Sequence, residues 1–302
     1  MDRFRELSTF VAVAETGAFN AAARRLTLSP SVVTRLVNGL EERLGARLFT
    51  RTTRSVVLTE AGERLLDRAA RILGELEDAE AITTGAHQTP RGVLRVTAPV
   101  LFGQHYVMPI VRDFLDAYPD VTASTLFVDR IVHVVDEGID VALRIGALPD
   151  SSLLARRVGV VRRVTVAAPS YLESHGVPQG PTDLADHQAI NPSDLNGPHD
   201  WPYHVGGRVE VARVTPRLST NSLTAAIDAA IAGWGVTRVL SYQVADAIAD
   251  GRLIEVLRGC DDREMPVQLV HADGGRAPAK TRAFLDFAAA RLRLEADKLA
   301  AA

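Results

Sequence analysis

The sequence predicts a multidomain α+β protein with an N-terminal winged helix-turn-helix, a long linker helix and a C-terminal two-lobed α/β domain. Three observations support this prediction: helical periodicity with clear caps over residues 1–58, a heptad-like apolar seam over 59–86, and alternating strand and helix patterns over 93–302. Residues 87–92, HQTPRG, are predicted to form a hinge. At 302 residues the chain is too long for a single small module.

Composition and charge narrow the class of protein further. With 47% hydrophobic and 24% charged residues the chain has the make-up of a globular protein, and no apolar run reaches the ~18 residues of a membrane span. Four of the first six residues are charged and Cys260 is the single cysteine, so we expect a cytoplasmic protein without an intramolecular disulfide. Residues 1–58 carry a net charge of +4 and the remainder −7, which suggests a polyanionic partner for the N-terminal part.

The first three predicted helices form the helix-turn-helix. The first ends at Gly17, the second covers about 19–26, and the third has Ser29 as N-cap, Pro30 at its first position and Gly45 at its end. Its predicted buried stripe is Val33, Leu36, Val37, Leu40 and Leu44. The opposite, polar and cationic stripe is Ser31, Thr34, Arg35 and Asn38. In a helix-turn-helix, the helix with such a face enters the major groove of DNA.

A predicted β-hairpin with a basic tip follows the third helix. Residues 48–49 and 56–58 are apolar and flank the segment 51–55, RTTRS. Arg51 and Arg54 suit contacts with phosphates or with the minor groove. One exposed arginine alone is more often a solvated surface residue, but several on one three-helix unit favour DNA binding.

The linker helix is predicted to start at Thr59 and carries apolar residues spaced alternately by four and three. The positions of this seam are Leu65, Ala69, Ile72, Leu76 and Ala79. The spacing is typical of dimerisation between helices, and a palindromic DNA site requires two reading heads. The alternative is an amphipathic helix that packs on its own chain.

The region beyond the hinge predicts a βαβαβ pattern followed by a second α/β unit. Strands are predicted at 94–98, 121–128, 141–145, 160–167, 184–186, 208–214, 218–220, 236–240 and 267–271, and helices up to about 118 and at 131–137, 222–232 and 279–293. Lobe I then comprises about 93–162 and 268–302, and lobe II about 163–267. Ligands of such sheets bind in the cleft at the carboxyl ends of strands.

Several short motifs occur in a fixed order along the chain. They are AAARRL (21–26), SPS (29–31), LEERLGARLF (40–49), RTTR (51–54) and LTEAG (58–62), with further matches at 229–236 and 280–287. Together they resemble the LysR-type transcriptional regulators from end to end. DVALRIG (140–146) and DSSL (150–153) resemble the branch that includes regulators of aromatic, quinone and aldehyde responses.

The resemblance implies a homodimer or a homotetramer built as a dimer of dimers, with double-stranded DNA, a small coinducer and RNA polymerase as partners. The C-terminal domain would be periplasmic-binding-protein-like and would bind the effector. The implied DNA-binding residues are Ser31, Val32, Thr34, Arg35, Asn38, Arg51, Thr53 and Arg54. The implied effector-binding residues are Ala98, Pro99, Val100, Phe102, Val128, Asp129, Arg144, Asn191, Trp201, Thr220 and Asn221.

The residues implied at the cleft predict the character of the effector. Several family members have a Ser or Thr that donates to a ligand carboxylate where this chain has Pro99, which weakens the expectation of a benzoate- or amino-acid-type effector. The apolar border, Val100, Phe102, Val128 and Trp201, favours a small apolar or aromatic molecule. Arg144 either contacts this molecule or pairs with Asp129 or Asp140.

Enzymatic, metal-binding and redox functions are the competing interpretations. The sequence contains no Gly-x-Ser-x-Gly elbow, Walker loop or Cys-x-x-Cys, and residues 233–235, GWG, lack the third glycine of a dinucleotide loop. We therefore predict no enzyme and no cofactor. His199, Asp200 and His204 are more often surface residues than metal ligands at this spacing. The remaining alternative is a cytoplasmic small-molecule-binding or redox-responsive protein without catalytic activity, although Cys260 has no cysteine partner in the chain.

Overall fold

The computed structural model describes residues 2–51, 56–84, 89–148, 153–192, 199–261, 263–272 and 277–295. These residues fall into two compact units, Met1–Gly92 and Val93–Ala302, each with its own apolar core. No helix in the described ranges is long and apolar enough to cross a lipid bilayer.

The N-terminal unit is a three-helix arrangement with a hairpin and a long helix. Its elements are α1 (Arg3–Thr16), α2 (Phe19–Arg25), α3 (Pro30–Leu44), β1 (Phe49–Arg51), β2 (Val56–Leu58) and α4 (Glu60–Thr84). The Asp2 carboxylate accepts the N–H of Phe4 (3.0 Å) and caps α1, and Ser29 caps α3. Both helices end at glycines with left-handed backbone, Gly17 (φ 65°) and Gly45 (φ 64°), as the sequence predicts.

One apolar core joins these elements. Its buried members are Phe10, Ala12, Val13, Ala22, Ala23, Val33, Val37, Leu40, Leu48, Phe49 and Ala69. The rings of Phe10 and Phe19 lie 5.3 Å and 5.9 Å from that of Phe49, so the first strand is packed against α1 and α2. Leu44 was expected in the buried stripe, but it is 44% exposed because it lies in the last turn of α3, beyond the core.

The C-terminal unit alternates strands and helices. Its elements are β3 (Gly92–Ala98), α5 (Val100–Phe102), a π-helical turn (Gly103–Val107), α6 (Met108–Ala117), β4 (Val121–Phe127), β5 (Val141–Ile145), β6 (Leu154–Ala167), α7 (Pro169–His175), a 3₁₀ segment (Pro181–Asp186), β7 (Ala189–Asn191), β8 (Asp200–Val205), β9 (Arg208–Arg213), β10 (Pro216–Ser219), α8 (Leu223–Ile231), β11 (Val236–Leu240), α9 (Ser241–Ala249), β12 (Ile254–Val256), β13 (Glu264–His271) and α10 (Ala279–Leu294).

One long strand, β6, runs through both lobes of this unit. The strand order is β10-β7-β11-β6-β13-β5-β3-β4, with β12 also paired to β6, while β8 and β9 form a separate hairpin. Residues 154–162 of β6 pair antiparallel with β13 in lobe I, and residues 163–166 pair antiparallel with β11 in lobe II. In lobe I, β3 and β5 are parallel, and in lobe II, β7, β10 and β11 are parallel.

Two predicted elements are wrong. The expected helix at 131–137 is a series of turns, in which the Glu137 carboxylate accepts hydrogen bonds from the Arg130 guanidinium and from the His133 N–H. These bonds lower the pKa of Glu137 to about 2 and give the backbone an alternative to a helix. Residues 184–186 were expected as a strand but belong to the 3₁₀ segment, and the strand is β7 instead.

Candidate DNA-binding face and effector cleft

The polar stripe of α3 forms one exposed face. Ser31, Arg35 and Asn38 are exposed and Thr34 and Val32 are half-buried, whereas the other side of the helix is packed in the core. A shallow groove runs along this face and is lined by Pro30, Ser31, Thr34, Arg35, Asn38, Gly39 and Glu42. The structure thus brings the predicted reading residues of the helix together on one surface.

Short-range hydrogen bonds organise the first turns of α3. The Ser29 hydroxyl lies 3.0 Å from the Ser31 hydroxyl, and it accepts the Val32 N–H at 3.4 Å. The Thr34 hydroxyl donates to the Pro30 carbonyl (2.9 Å), so its oxygen lone pairs are directed away from the helix backbone. A hydroxyl held in this way can accept a hydrogen bond from a base or act as an apolar neighbour through its methyl group.

Glu41 holds the start of the hairpin against α3, a role that sequence reasoning missed. Its buried carboxylate accepts the N–H groups of Leu48 (2.7 Å) and Phe49 (3.1 Å) and a hydrogen bond from Arg47 (3.1 Å). Burial alone would raise the pKa of Glu41, but these hydrogen bonds outweigh burial and lower it. No signal in the motif LEERLGARLF distinguishes Glu41 from Glu42, because only the return of the chain at Leu48 brings the hairpin backbone to one of them.

Further contacts tie α3 and the hairpin to the neighbouring helices. The buried Glu6 of α1 accepts two hydrogen bonds from the Arg43 guanidinium (2.7 and 3.2 Å). The Thr59 hydroxyl donates to the Arg47 carbonyl (2.6 Å) and accepts the Gly62 N–H (3.1 Å), so Thr59 caps α4. Hydrogen bonds therefore hold α3 to α1, and they hold the segment after α3 to the start of α4.

The wing of the predicted DNA-binding domain is only partly described. β1 and β2 pair antiparallel from Phe49↔Leu58 to Arg51↔Val56. Thr53 and Arg54 lie outside the described residues, as does the side chain of Arg51. The predicted contacts of this basic tip with DNA stay predictions.

The linker seam divides into two halves. Ala69 is buried in the core of the N-terminal unit and Leu65 packs against that core. Ile72 is 41% exposed and Leu76 is half-buried, while the side chain of Ala79 lies outside the described residues. The first half of the seam is therefore packed on its own chain, and the second half presents apolar surface.

In lobe I the ends of β3 and β4 meet at the cleft. Val128 donates its N–H to the Ala98 carbonyl (3.0 Å), and Val100 donates its N–H to the Asp129 carboxylate (3.0 Å). Pro99 is the N-cap of α5, and it is half-buried like Val100 and Val128. These predicted positions are neighbours at the carboxyl edge of the sheet.

Arg144 is bonded to the backbone of lobe I. Its guanidinium donates to the Val132 carbonyl (2.5 Å) rather than to either of the carboxylates expected as partners. Asp129 accepts the N–H described above, and Asp140 accepts the Arg95 N–H (2.7 Å). Burial lowers the pKa of Arg144.

In lobe II the predicted polar residues lie at the ends of β7 and β10. Thr220 donates its N–H to the Asn191 carbonyl (3.1 Å), and its hydroxyl accepts the Ser222 N–H (3.1 Å). Asn221 is exposed and Asn191 is buried. Ser222 caps α8, so this loop leads directly into a helix N-terminus.

Two aromatic residues expected at the cleft are core residues. Phe102 is fully buried, with ring centroids 4.8 Å from Tyr106 and 5.0 Å from Tyr242. Trp201 is 5% exposed and packs in lobe II with the buried Tyr203 and Ala212. Neither ring offers the surface that was expected to border an effector.

The alternative interpretations were a metal site at His199, Asp200 and His204 and a redox role for Cys260. No group of three or more His, Cys, Asp or Glu side chains there could hold a metal ion. His204 lies 3.5 Å from Asp261, and Asp261 is ion-paired with the buried Arg238. Cys260 is half-buried beside this pair.

A helix-turn-helix with an exposed polar face, on a chain that also has a two-lobed α/β domain, is typical of ligand-responsive DNA-binding regulators. Residues 4–63 match the family model of the bacterial regulatory helix-turn-helix proteins of the lysR family. Residues 87–293 match the model of the LysR substrate binding domain. The chain belongs to the LysR family of transcriptional regulators.

Relatives and solved structures agree with this assignment. An HTH-type transcriptional regulator of Xanthomonas campestris is 36% identical over 296 residues, 97% of this chain and 86% of the relative. The structure of CrgA, a LysR-type regulator from Neisseria meningitidis, covers 95% of this chain and 98% of its own, with 32% identity and a TM-score of 0.61. Full-length AphB, a virulence activator of Vibrio cholerae, has the same coverage with 27% identity and a TM-score of 0.60. These relatives are named as regulators of transcription, not as enzymes.

Proposed function

We propose that the protein binds a two-half-site operator as a homodimer or a dimer of dimers, and that a small apolar or aromatic effector in the interlobe cleft controls this binding. In this proposal residues 1–58 read the DNA, 59–86 dimerise, 87–92 act as a hinge and 93–302 bind the effector. RNA polymerase is included as a further partner on the family resemblance alone.

The exposed face of α3 is the observation that carries the DNA-binding part. Ser31, Arg35 and Asn38 project from a helix whose opposite side is buried, and Thr34 lies between them. Arg, Asn, Ser and Thr are the side chains that read base edges in the major groove. Ile72 and Leu76, one helical turn apart, supply apolar surface at two successive seam positions, and such a seam is typical of pairing between helices, which supports dimerisation.

The effector part rests on the half-buried apolar residues at the end of β3 and β4, Val100 and Val128. The likeness of residues 140–146 and 150–153 to the branch that answers aromatic, quinone and aldehyde compounds supports the same class. With Phe102 and Trp201 in the core, the apolar border is smaller than the sequence predicts.

Footprinting of the DNA upstream of the protein's own gene tests the proposal. We expect two protected half-sites separated by about one helical turn or a multiple of it, and a change of the pattern with a panel of aromatics and aldehydes. Protection without sequence preference would contradict the operator, and a pattern that no compound of the panel alters would contradict the effector class.

A further inference from the structure

The course of β6 places residues 162–163 at the floor of the interlobe cleft. β5 and β6 both pair antiparallel with β13, so β6 leaves lobe I at the edge where β3 and β5 end. It then pairs antiparallel with β11, with Arg163 opposite Leu240, and so enters lobe II at the edge where β7, β10 and β11 end. The carboxyl ends of the strands of both lobes therefore meet at this point of β6.

The two arginines at this point have different surroundings. Arg162 is bound by the buried Glu255, with Nη2 2.8 Å from Oε2. Arg163 is exposed and makes no side-chain hydrogen bond or ion pair with any residue in the described part of the chain. Since neighbouring residues of a strand point to opposite faces, only Arg163 has its guanidinium available.

Cations outnumber anions around Arg163. Loss of hydration lowers its pKa, and the neighbouring cations Arg238 and Arg263 lower it further, whereas Asp261 opposes them. Asp261 is already neutralised by the buried Arg238, whose guanidinium also donates to the Pro202 carbonyl (2.7 Å). The charge of Arg163 is thus left without a compensating carboxylate in the described residues.

We infer that Arg163 binds the negatively charged group of the effector, which is therefore a small organic anion, with a carboxylate as its simplest form and an apolar body. This inference rests on the proposed effector cleft and specifies the class of ligand. A guanidinium holds a carboxylate with two parallel charge-assisted hydrogen bonds, and these offset the lost hydration of both groups. The apolar body would lie towards Val100, Val128 and Leu240, which are half-buried.

This assignment accounts for two features of the lobe I side of the cleft. Pro99 has no hydroxyl with which to hold a carboxylate, and Nη2 of Arg144 donates to the Val132 backbone carbonyl. Asp129 is exposed at the same edge and would repel an anion there. The anionic group therefore belongs on the lobe II side, where Arg163 lies.

Calorimetric titration of the full-length protein tests the inference with three acids and their amides: benzoate and benzamide, phenylacetate and phenylacetamide, butyrate and butyramide. At least one acid should bind about tenfold or more tighter than its amide. Arg163→Gln should reduce this ratio to about one, and Arg163→Lys should retain part of it. Arg208→Gln, which removes an exposed charge from the β8–β9 hairpin of the same lobe, should leave it unchanged.

Three results would overturn the inference: equal affinity of acid and amide, an unchanged ratio in Arg163→Gln, or no binding of any acid up to about 10 mM, because a bidentate pair at the floor of a cleft should reach at least millimolar affinity. Circular dichroism and thermal melting check that the variants fold. Operator titration in parallel separates the proposed function from the proposed class of effector. If the protein binds its operator and binds neutral aromatics, the proposed function is upheld and the anionic effector is rejected. Lack of operator binding by the wild-type protein would count against the proposed function alone.

Discussion

Glu41 shows that a charged residue on α3 can serve the fold rather than the DNA. It lies on α3, but its carboxylate is turned to the backbone of the hairpin, whereas Glu42 beside it is exposed on the groove side. From the sequence alone, Glu41 and Glu42 would both be expected to be solvent-exposed. Only the return of the chain at Leu48 distinguishes them.

Glu41→Gln should weaken the N-terminal unit and reduce its pH dependence. Since folding lowers the pKa of Glu41, its stabilisation is complete above the ordinary value of 4.5 and is lost as the pH falls through the lower value of the folded protein. We expect a loss of about 1–3 kcal/mol at pH 7, measured as protection of the Leu48 and Phe49 amides from hydrogen exchange. Glu42→Gln is the matched control. Equal protection in both variants would show that the carboxylate of Glu41 is not needed.

Arg54 should contribute affinity without sequence preference. Residues at a basic tip contact phosphates, so Arg54→Ala should weaken binding to all DNA sequences alike. The slope of log affinity against log salt should fall by about one unit for each phosphate that the side chain no longer neutralises. Arg156→Ala, which removes an exposed charge paired with Asp286 in the other unit, is the control. An unchanged slope for Arg54→Ala would remove this residue from the interface.

At the scale of elements, the junction of hairpin and linker helix depends on a close approach. Thr59 caps α4, and one turn later Gly62 passes the backbone of Leu48. A Cβ at Gly62 would lie 2.2 Å from the Leu48 carbonyl oxygen, which is impossible without a shift of the backbone. Gly74 in the same helix has nothing within 4 Å of such an atom. Close packing against Leu48 thus explains why the LTEAG motif has a glycine at position 62.

Gly62→Ala should destabilise the N-terminal unit by about 1–3 kcal/mol, because it forces the hairpin away from α4. Gly74→Ala should stabilise α4 by about 0.5–1 kcal/mol, since the helix propensity improves without a clash. Hydrogen exchange of the full-length protein, followed in peptides of the N-terminal unit, measures both. Two variants of equal stability would contradict the close approach.

Ile72→Glu should weaken dimerisation while leaving the chain folded. The position is 41% exposed, so a carboxylate there remains hydrated in one chain but would be buried in an interface between two linker helices. Sedimentation velocity should show a shift towards monomer, and operator affinity should drop steeply. Arg68→Glu introduces the same group at another exposed position of α4 and serves as control. If sedimentation of Ile72→Glu is unchanged, the dimer uses another surface.

At the scale of the whole molecule, the bounds of helices and strands were easier to predict from the sequence than the packing of distant segments. Caps and glycines predicted the end of α1 and both limits of α3, and apolar runs predicted β5 and β11 with their observed bounds, because these signals act within a few residues.

The cleft residues were less predictable, since they depend on how distant segments pack. Phe102 is covered by Tyr242 of α9, a helix absent from the sequence prediction, and Trp201 faces lobe II through the unpredicted pairing of β8 with β9. The ends of β3 and β4 were placed correctly at one edge because parallel strands share it. Arg163 was missed because the sequence does not show which of two adjacent arginines Glu255 binds.

Titration of operator and scrambled DNA with Arg35→Ala at several salt concentrations tests the central claim, that the exposed face of α3 reads sequence. Arg35 is exposed on this face, and removal of its hydrogen bonds to a base should cost about 1–3 kcal/mol on the operator and little on scrambled DNA. We expect a lower ratio of operator to scrambled affinity for Arg35→Ala, with relaxed preference at one base pair. A ratio equal to that of the wild-type protein at every salt concentration would contradict it.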